Sequence, residues 1–374
     1  MKSNYKRLGD YIRQVDVRNI EDKRYELLGV SVEKCFISSI ANTVGTDWHN
    51  YKIIKRGQLC YIPDTSRRGD KIGIAHLVDR EIGLVSAVYT VFEVWNKELM
   101  PEYLMLWFKR PEFDRYARYH SHGSVREIFD WEEMCNVELP IPPIGEQEKI
   151  VDAYQKIETR IALKKKINEN LEAQASALFD ELFMSEIENA EHTFGEYVSF
   201  VQGTQVPIEE QLTSKEINTV RFVRIIDYTT DGQEPPRYIY PPNNSTYINE
   251  EEVAVIRYGN IGLIGRRFSG IIANNLFKVI PKSDNITNHF IFYYLNHPKI
   301  QRILKSSEES SAMPAIKHST VGNLPINTIE EDNLRTFELC ANKFETLIIN
   351  NKREIGSLFK MLANTLSSVT LLSC

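Results

Sequence analysis

Basic and amide side chains gather in several short polar segments between apolar stretches of the chain. Arginine and lysine neutralise phosphates, arginine also reads guanine, and asparagine or glutamine can pair with adenine. These segments therefore predict a surface that could hold a nucleic acid. The candidate residues in the first half of the chain are Tyr61, Arg67, Arg68, Lys71, Ser124 and Arg126. Those in the second half are Gln202, Thr204, Gln205, Arg257, Asn260, Arg266, Arg267, Asn274, Asn275 and Lys317.

Motifs typical of catalysis are missing from the sequence. It has no GxxxxGK[ST] phosphate loop, which argues against nucleotide hydrolysis. The glycine-rich segment 259–265 has the spacing GxxGxxG rather than GxGxxG, so it predicts a hairpin or bulge rather than a cofactor loop. Segments 63–71 and 120–122 carry acids and histidines, but not at the spacing of a nuclease or metal site. We therefore expect no catalytic residue, no metal and no cofactor in this chain.

The composition is that of a folded protein with two or three domains. The chain has 374 residues, of which 42% are hydrophobic and 26% are charged. Five scattered cysteines without a CxxC pair favour a reducing compartment, and the absence of an apolar leader or of 18 consecutive apolar residues favours a cytoplasmic protein away from membranes. The net charge of −6 is a caution for nucleic-acid binding, since isolated DNA-binding domains are often basic.

The sequence repeats itself at an offset of 185 to 187 residues. The matched segments are 8–10 with 194–196, 83–86 with 270–273, 101–115 with 288–302, and 139–141 with 324–326. Because order and offset are kept together, a duplication explains the matches better than convergent helix patterning does.

Each half has the same order of elements. Short apolar runs broken by turn residues predict a β-rich region, and a short amphipathic helix follows it over 101–118 or 287–305. A polar loop, the tripeptide Leu-Pro-Ile and a long helix come next. The fold class predicted is α+β with an internal pseudo-two-fold repeat. The predicted division is 1–143 and 191–327 for the β-rich domains, and 144–190 and 328–374 for the long helices.

The two long helices carry apolar residues at heptad spacing. Polar residues interrupt each seam near its middle, at Lys164 and Asn168 in the first helix and at Asn351 in the second. The simplest arrangement packs the two helices on each other, and the alternative packs each helix only on its own globular domain. The residues expected to pack are Ile150, Ile157, Ile161, Leu171, Leu178 and Leu182, with Phe337, Phe344, Ile348, Asn351, Ile355 and Leu362.

This organisation resembles the DNA specificity (S) subunit of type I restriction-modification systems. The most telling segment is 139–183, which reads LPIPPIGEQEKIVDAYQKIETRIALKKKINENLEAQASALFDELF and is similar to the central conserved region of that family. The second copy begins LPINTIEEDNL, where the family prefers a second Pro-Pro and Glu-Gln. The resemblance covers essentially the whole chain, although the two β-rich regions match in layout only.

The resemblance implies a non-catalytic protein with two target-recognition domains, each reading one part of a split DNA site. The long helices would form an antiparallel coiled coil that sets the distance between the two parts. The implied partners are double-stranded DNA, two modification (methyltransferase) subunits and restriction (translocase and nuclease) subunits. S-adenosylmethionine, ATP and Mg are expected on those partners and not on this chain.

Two other functions are compatible with the sequence. One is a coiled-coil scaffold whose globular domains bind proteins, and the other is a recognition subunit of a methylation-only or different DNA-acting assembly. Because affinity for DNA depends strongly on phosphate neutralisation, the net charge predicts weak binding by the isolated chain and tight binding only with modification subunits.

Overall fold

The computed structural model divides the chain into two compact units, which we call unit 1 and unit 2. Unit 1 comprises residues 1–164 and 353–374, and unit 2 comprises residues 165–352. The structure describes residues 5–39, 47–64, 71–123, 127–185, 187, 190–259, 262–306 and 315–371. No helix among these residues is long and apolar enough to cross a membrane.

Unit 1 contains ten strands and three short α-helices among the described residues. The strands are β1 Tyr5–Arg7, β2 Ile12–Val15, β3 Leu27–Val30, β4 Phe36–Ser38, β5 Lys52–Lys55, β6 Leu59–Tyr61, β7 Ile74–His76, β8 Ile82–Val85, β9 Thr90–Val94 and β10 Glu138–Pro140. The helices are α1 Pro101–Phe108, α2 Pro111–Tyr119 and α3 Trp131–Cys135, and the long helix α4 Ile144–Phe183 follows them.

Two four-stranded sheets, in the orders β2-β9-β6-β7 and β4-β3-β8-β5, form the β region of unit 1. Strand β6 is buried on both faces. On one face, Cys60 shares a core with Leu28 and Val85 of the other sheet. On the opposite face, Tyr61 shares a core with Phe108 of α1 and the neighbouring helices. The unit is therefore layered as sheet, sheet and helices.

Unit 2 contains the corresponding elements. Its strands are β11 His192–Thr193, β12 Val198–Gln202, β13 Val220–Val223, β14 Arg237–Ile239, β15 Tyr247–Ile248, β16 Val253–Ile256, β17 Ile264–Gly265, β18 Gly270–Ile272, β19 Leu276–Pro281 and β20 Pro325–Ile326. Its helices are α5 Phe194–Tyr197, α6 Ile225–Thr229, α7 Asn288–Asn296, α8 Pro298–Ser306 and α9 His318–Gly322, followed by the long helix α10 Glu331–Leu371.

The strand order of unit 2 reproduces that of unit 1. Its sheets run β12-β19-β16-β17 and β14-β13-β18-β15, and β1 with β10 corresponds to β11 with β20. Each unit has a parallel pair at the same place, β3 with β8 in one and β13 with β18 in the other. The predicted duplication is thus visible in the topology, and the predicted hairpin around 259–265 is the antiparallel pair β16 and β17.

The single short helix predicted in each half is wrong, because each is two helices. Arg110 and His297 have extended backbones, with ψ of 138° and 136°, and a proline follows each of them. Proline disfavours helical backbone in the residue before it and has no N–H to donate. Pro111 and Pro298 therefore end one helix and begin the next.

The two long helices pack on each other within each unit. In unit 1, Tyr154 and Ile161 of α4 share a core with Leu362 of α10. In unit 2, Phe179 of α4 shares a core with Phe337 of α10. The antiparallel packing of the helices and the α+β class agree with the prediction.

A buried glutamine attaches the start of α4 to the globular part of unit 1. The Gln147 amide is fully buried; it donates to the main-chain oxygens of Glu98 and Pro142, each at 2.7 Å, and accepts from the N–H of Met100 at 2.9 Å. All three bonds go to main-chain groups, so this glutamine of the 139–183 motif fixes where the helix begins.

Candidate nucleic-acid interface

One side chain in unit 2 joins several of the residues predicted to face DNA. The Gln202 amide nitrogen donates to the main-chain oxygen of Leu276 at 2.9 Å and to that of Asn274. Its amide oxygen accepts from Nη1 of Arg257 at 3.0 Å. Gln202 thereby connects the end of β12, the turn before β19 and the end of β16.

The exposed side chains around Gln202 are amides. Asn274 donates from Nδ2 to Oε1 of Gln205 at 3.3 Å, and both residues are exposed. The Thr204 hydroxyl accepts from the N–H of Thr246 at 3.0 Å. This bond attaches the loop that carries Gln205 to the residue before β15. Exposed amides of this kind can donate to and accept from base edges.

Arg257 joins the segment that contains Lys317 to the turn that contains Asn275. Its N–H donates to the oxygen of Asn275 at 3.0 Å, and its own oxygen accepts from the N–H of Ile316 at 3.1 Å. Its guanidinium lies 5.1 Å from the ring of Tyr258 and donates from Nε to the oxygen of Ile316 at 3.4 Å. Lys317 is the next residue and is exposed. An arginine and a lysine therefore stand beside the amides.

His318, the residue after Lys317, packs its ring on two phenylalanine side chains. Its ring stacks on Phe200, with 5.5 Å between centroids, and meets the edge of Phe277 at 4.6 Å. Burial, and then the charge of Arg257, lower the pKa of His318 below its ordinary value. The imidazole is therefore neutral at pH 7 and adds no charge to the cluster.

Seven predicted residues thus come together at one end of unit 2, and we call them the polar cluster. Its members are Gln202, Thr204, Gln205, Arg257, Asn274, Asn275 and Lys317. The exposed amides of Gln205 and Asn274, together with a guanidinium and an ammonium, provide the kinds of group that base edges and phosphates bind.

Arg266 and Arg267 lie elsewhere, against the long helices. Arg266 Nη2 is 2.5 Å from a carboxylate oxygen of Glu345, and Arg267 Nε is 2.8 Å from the other. Arg267 also contacts Glu172 at 3.3 Å. The Arg266 side chain is 4% exposed, and its guanidinium lies 4.1 Å from the ring of Phe292. Both arginines therefore have carboxylate partners within unit 2, and this position does not support a DNA contact.

Electrostatics explain why these four charges are stable together. Burial raises the pKa of Glu345, but the hydrogen bond from Arg267 and the charges of both arginines outweigh it and hold that pKa below its ordinary value. Burial lowers the pKa of Arg266, whereas the bond with Glu345 leaves the pKa of Arg267 raised despite its own burial. We call Arg266, Arg267, Glu172 and Glu345 the arginine clamp.

The residues predicted for unit 1 are less informative. Tyr61 has no exposed surface, because it lies on the helix-facing side of β6, and a DNA contact at this residue is not supported. Lys71 is half exposed and lies 3.0 Å from Glu33. Five predicted residues lie outside the described part of the chain: Arg67, Arg68, Ser124, Arg126 and Asn260.

A buried ion pair anchors the segment that contains Lys71. Lys34 Nζ lies 2.5 Å from Oδ1 of Asp114 and donates to the oxygen of Ile72 at 2.8 Å. The same carboxylate accepts from the N–H of Ile72 at 3.1 Å. Burial lowers the pKa of Lys34, against the opposing effect of Asp114. Sequence reasoning missed this pair because its members are 80 residues apart.

Sequence reasoning also missed a side-chain contact at the turn of unit 1 that corresponds to the turn held by Gln202. Lys52 Nζ donates to the main-chain oxygen of Tyr89 at 2.9 Å and lies 3.4 Å from Asp16. Asp16 also lies 3.2 Å from Nε of Arg18. The repeat points only to Asp16, since an offset of 186 places Asp16, and not Lys52, opposite Gln202.

The residues predicted to pack the helices lie along one face of each helix. Ile161, Phe337, Ile348, Ile355 and Leu362 are buried. The half-buried ones are Ile150, Ile157, Leu171, Leu178, Leu182, Phe344 and Asn351. All of these positions are at least partly shielded from solvent.

The polar residues of the seams have specific partners. Asn351 donates from Nδ2 to Oδ1 of Asn168 at 2.8 Å in unit 2. Lys164 lies 2.7 Å from Glu354 in unit 1, and Glu354 is also 2.5 Å from Arg160. Such pairs allow one register of the helices and penalise others.

Among the described residues, no three His, Cys, Asp or Glu side chains are grouped so that they could hold a metal ion.

Comparisons with known proteins show that the chain is similar to one kind of protein. Residues 40–173 match the family described as the type I restriction modification DNA specificity domain. The chain is 22% identical over 291 residues to the type I restriction enzyme MjaIX specificity subunit of Methanocaldococcus jannaschii, covering 70% of this chain and 66% of that relative. It is 26% identical over 152 residues to the HindI specificity subunit of Haemophilus influenzae, covering 40% and 32% respectively. The chain thus matches just under two thirds of one relative's length and about a third of the other's.

The fold has a solved counterpart. The crystal structure of a type I restriction-modification system S subunit from M. genitalium superposes with a TM-score of 0.62 at 14% identity, covering 98% of this chain and 95% of that one. At this identity the similarity shows the fold.

Proposed function

We propose that this chain, whose resemblance to the DNA specificity subunits of type I restriction-modification systems is confirmed by these comparisons, reads a split DNA target for such an enzyme. Each unit would read one part of the site. The chain would then direct modification subunits to methylate adenine there, and restriction subunits to translocate and cleave.

The observation that carries this proposal is the polar cluster of unit 2. Exposed Gln205 and Asn274 amides stand beside Arg257 and Lys317, at the end of a sheet whose strand order recurs in unit 1. Two copies of one scaffold with different side chains at the same end are what reading two different short sequences requires.

The long helices supply a surface for partner subunits. Leu339 and Leu347 of α10 are 61% and 51% exposed, and Met361 on the same helix is 51% exposed. Exposed apolar side chains such as these can be covered by a protein partner. We propose that modification subunits bind along these helices and that S-adenosylmethionine, ATP and Mg are bound by partner subunits.

Methylation mapping tests the proposal directly. Methylated adenines are mapped across a genome in cells that carry the modification subunit with this chain or without it. We expect a two-part motif with a fixed gap that disappears when the chain is absent. An unchanged map would contradict the proposal and favour a protein-binding scaffold.

DNA binding by the purified chain gives a second test. The net charge of −6 predicts weak, salt-sensitive binding alone and tight binding after addition of the modification subunit. Equally tight site-specific binding by the isolated chain at moderate salt would contradict the need for a partner.

A further inference from the structure

A single side chain in unit 2 uses both of its N–H donors to hold a turn rather than to face solvent. The Gln202 amide donates to the oxygens of Asn274 and Leu276 and accepts from Arg257. An amide has two N–H donors, so none remains for a base. Gln202 bonds to the main-chain oxygen of Asn274, whose exposed side chain in turn donates to Gln205.

The equivalent turn of unit 1 is held by a charged side chain from a different strand, β5. Lys52 Nζ donates to the oxygen of Tyr89, and an offset of 187 places Tyr89 opposite Leu276. Asp16, which lies opposite Gln202, is 3.4 Å from Lys52. Both units therefore hold the carbonyl at the start of the same strand with a side-chain nitrogen.

These side-chain donors act at exposed turns. A buried carbonyl needs a donor, and the Leu276 oxygen also accepts from the N–H of Gly203 at 3.0 Å, as main-chain groups do in a sheet. The Gln202 amide adds a bond to Leu276 and a bond to the Asn274 oxygen in the turn. Asn274 is exposed, and so is Val88 in the corresponding turn of unit 1. Losing the side-chain donor would loosen the turn while leaving the strand pairing, the main-chain bonds and the apolar core in place.

We infer that Gln202 and Lys52 are positioning residues that hold equivalent turns from different strands, each fixing the turn with which its own unit reads DNA. This inference rests on the proposed function. It goes beyond it by assigning sequence discrimination in each part of the target to one internal hydrogen-bonding side chain per unit.

The experiment compares Gln202→Ala and Lys52→Met by methylation mapping with the modification subunit present. We expect Gln202→Ala to relax the sequence in one part of the motif, by about tenfold at one or more positions, the size of one lost base-edge contact. Lys52→Met should relax the other part. In each variant the remaining part and the gap should stay as in the wild type.

Matched variants separate positioning from general damage. Ser199→Ala removes a side chain on the same strand as Gln202 that bonds to Ile280, away from the turn. Lys55→Met removes a charge from the same strand as Lys52. Both should keep the wild-type motif. Lys52→Arg retains a donor and should restore the part that Lys52→Met relaxes.

Gln202→Glu keeps the shape and the acceptor for Arg257 but loses the donors to the two carbonyls, so it should relax the same part as Gln202→Ala. An unchanged motif in Gln202→Ala and Lys52→Met, or loss of both parts in Gln202→Ala and Gln202→Glu alike, would overturn the inference. A wild-type chain that produces no two-part motif would instead refute the proposed function.

Discussion

The arginine clamp makes a quantitative prediction for Glu345→Gln. The substitution keeps the shape of the side chain but removes the negative charge that faces two guanidiniums. Arg266 is 4% exposed, Arg267 21% and Glu345 13%, so water cannot replace the lost partner well. Two adjacent positive charges would remain against a neutral amide.

Breaking a buried ion pair by removing one partner costs about 3–5 kcal/mol. Arg267 retains Glu172 at 3.3 Å, which is 48% exposed, so we expect the lower end, about 3 kcal/mol. For a unit of this size that corresponds to a fall in Tm of about 6–12 °C. Glu169→Gln, an exposed glutamate of α4 in the same unit, should change the free energy of unfolding by less than about 0.5 kcal/mol.

The assay is denaturant unfolding of the full chain, followed for the transition of unit 2, together with DNA binding in the presence of the modification subunit. A double-mutant cycle of Arg267→Ala with Glu345→Gln should show strong coupling in stability. The opposite result would be a Glu345→Gln protein as stable as the wild type, with Arg267→Ala weakening DNA binding at unchanged stability. That result would indicate that the two arginines contact DNA rather than stabilise unit 2.

Three further predictions concern the buried polar contacts. Asn351→Leu should lower the free energy of unfolding by about 1–3 kcal/mol, because the amide of Asn168, 8% exposed, loses its donor, and the double substitution to Leu should recover it in thermal denaturation. Lys34→Met should cost about 3–5 kcal/mol in denaturant unfolding by leaving Asp114 buried and unpaired, and adding Asp114→Leu should restore part of the loss. Because the pKa of Glu345 is lowered in the folded state, its stabilisation is complete above the ordinary glutamate pKa of about 4.3 and is lost as pH falls through the lowered value. The stability difference between wild type and Glu345→Gln should therefore shrink below about pH 4, and a difference independent of pH would contradict the ionic origin.

The long helices and the duplication could be predicted from the sequence because their signals are local or periodic. Heptad spacing places Phe337 and Leu362 on the buried face of α10 without knowledge of the rest of the fold. A nearly constant offset likewise links the two halves, and the strand orders agree with it. Heptad spacing and the repeat offset predict correctly because neither depends on which distant residue contacts a given side chain.

Site residues were harder to predict because their environment is set by distant partners. Arg266 and Arg267 form a basic pair in sequence, but the carboxylate that neutralises them is 79 and 78 residues away, respectively. Tyr61 stands beside a polar segment, yet both faces of its strand are covered. The polar cluster was predicted better because the exposed ends of strands are where a sequence places turn-forming amides.

The division of the chain into units has a consequence for its synthesis. Residues 165–352 of unit 2 are continuous, whereas the core of unit 1 includes Leu358, Leu362 and Val369 from the last part of the chain. A ribosome adding about 5–20 residues per second needs on the order of 10–40 s to make the intervening 188 residues. The unit that begins first would therefore finish folding last, and the nascent chain would expose the apolar face of α4 that includes Tyr154 and Ile161 until α10 emerges.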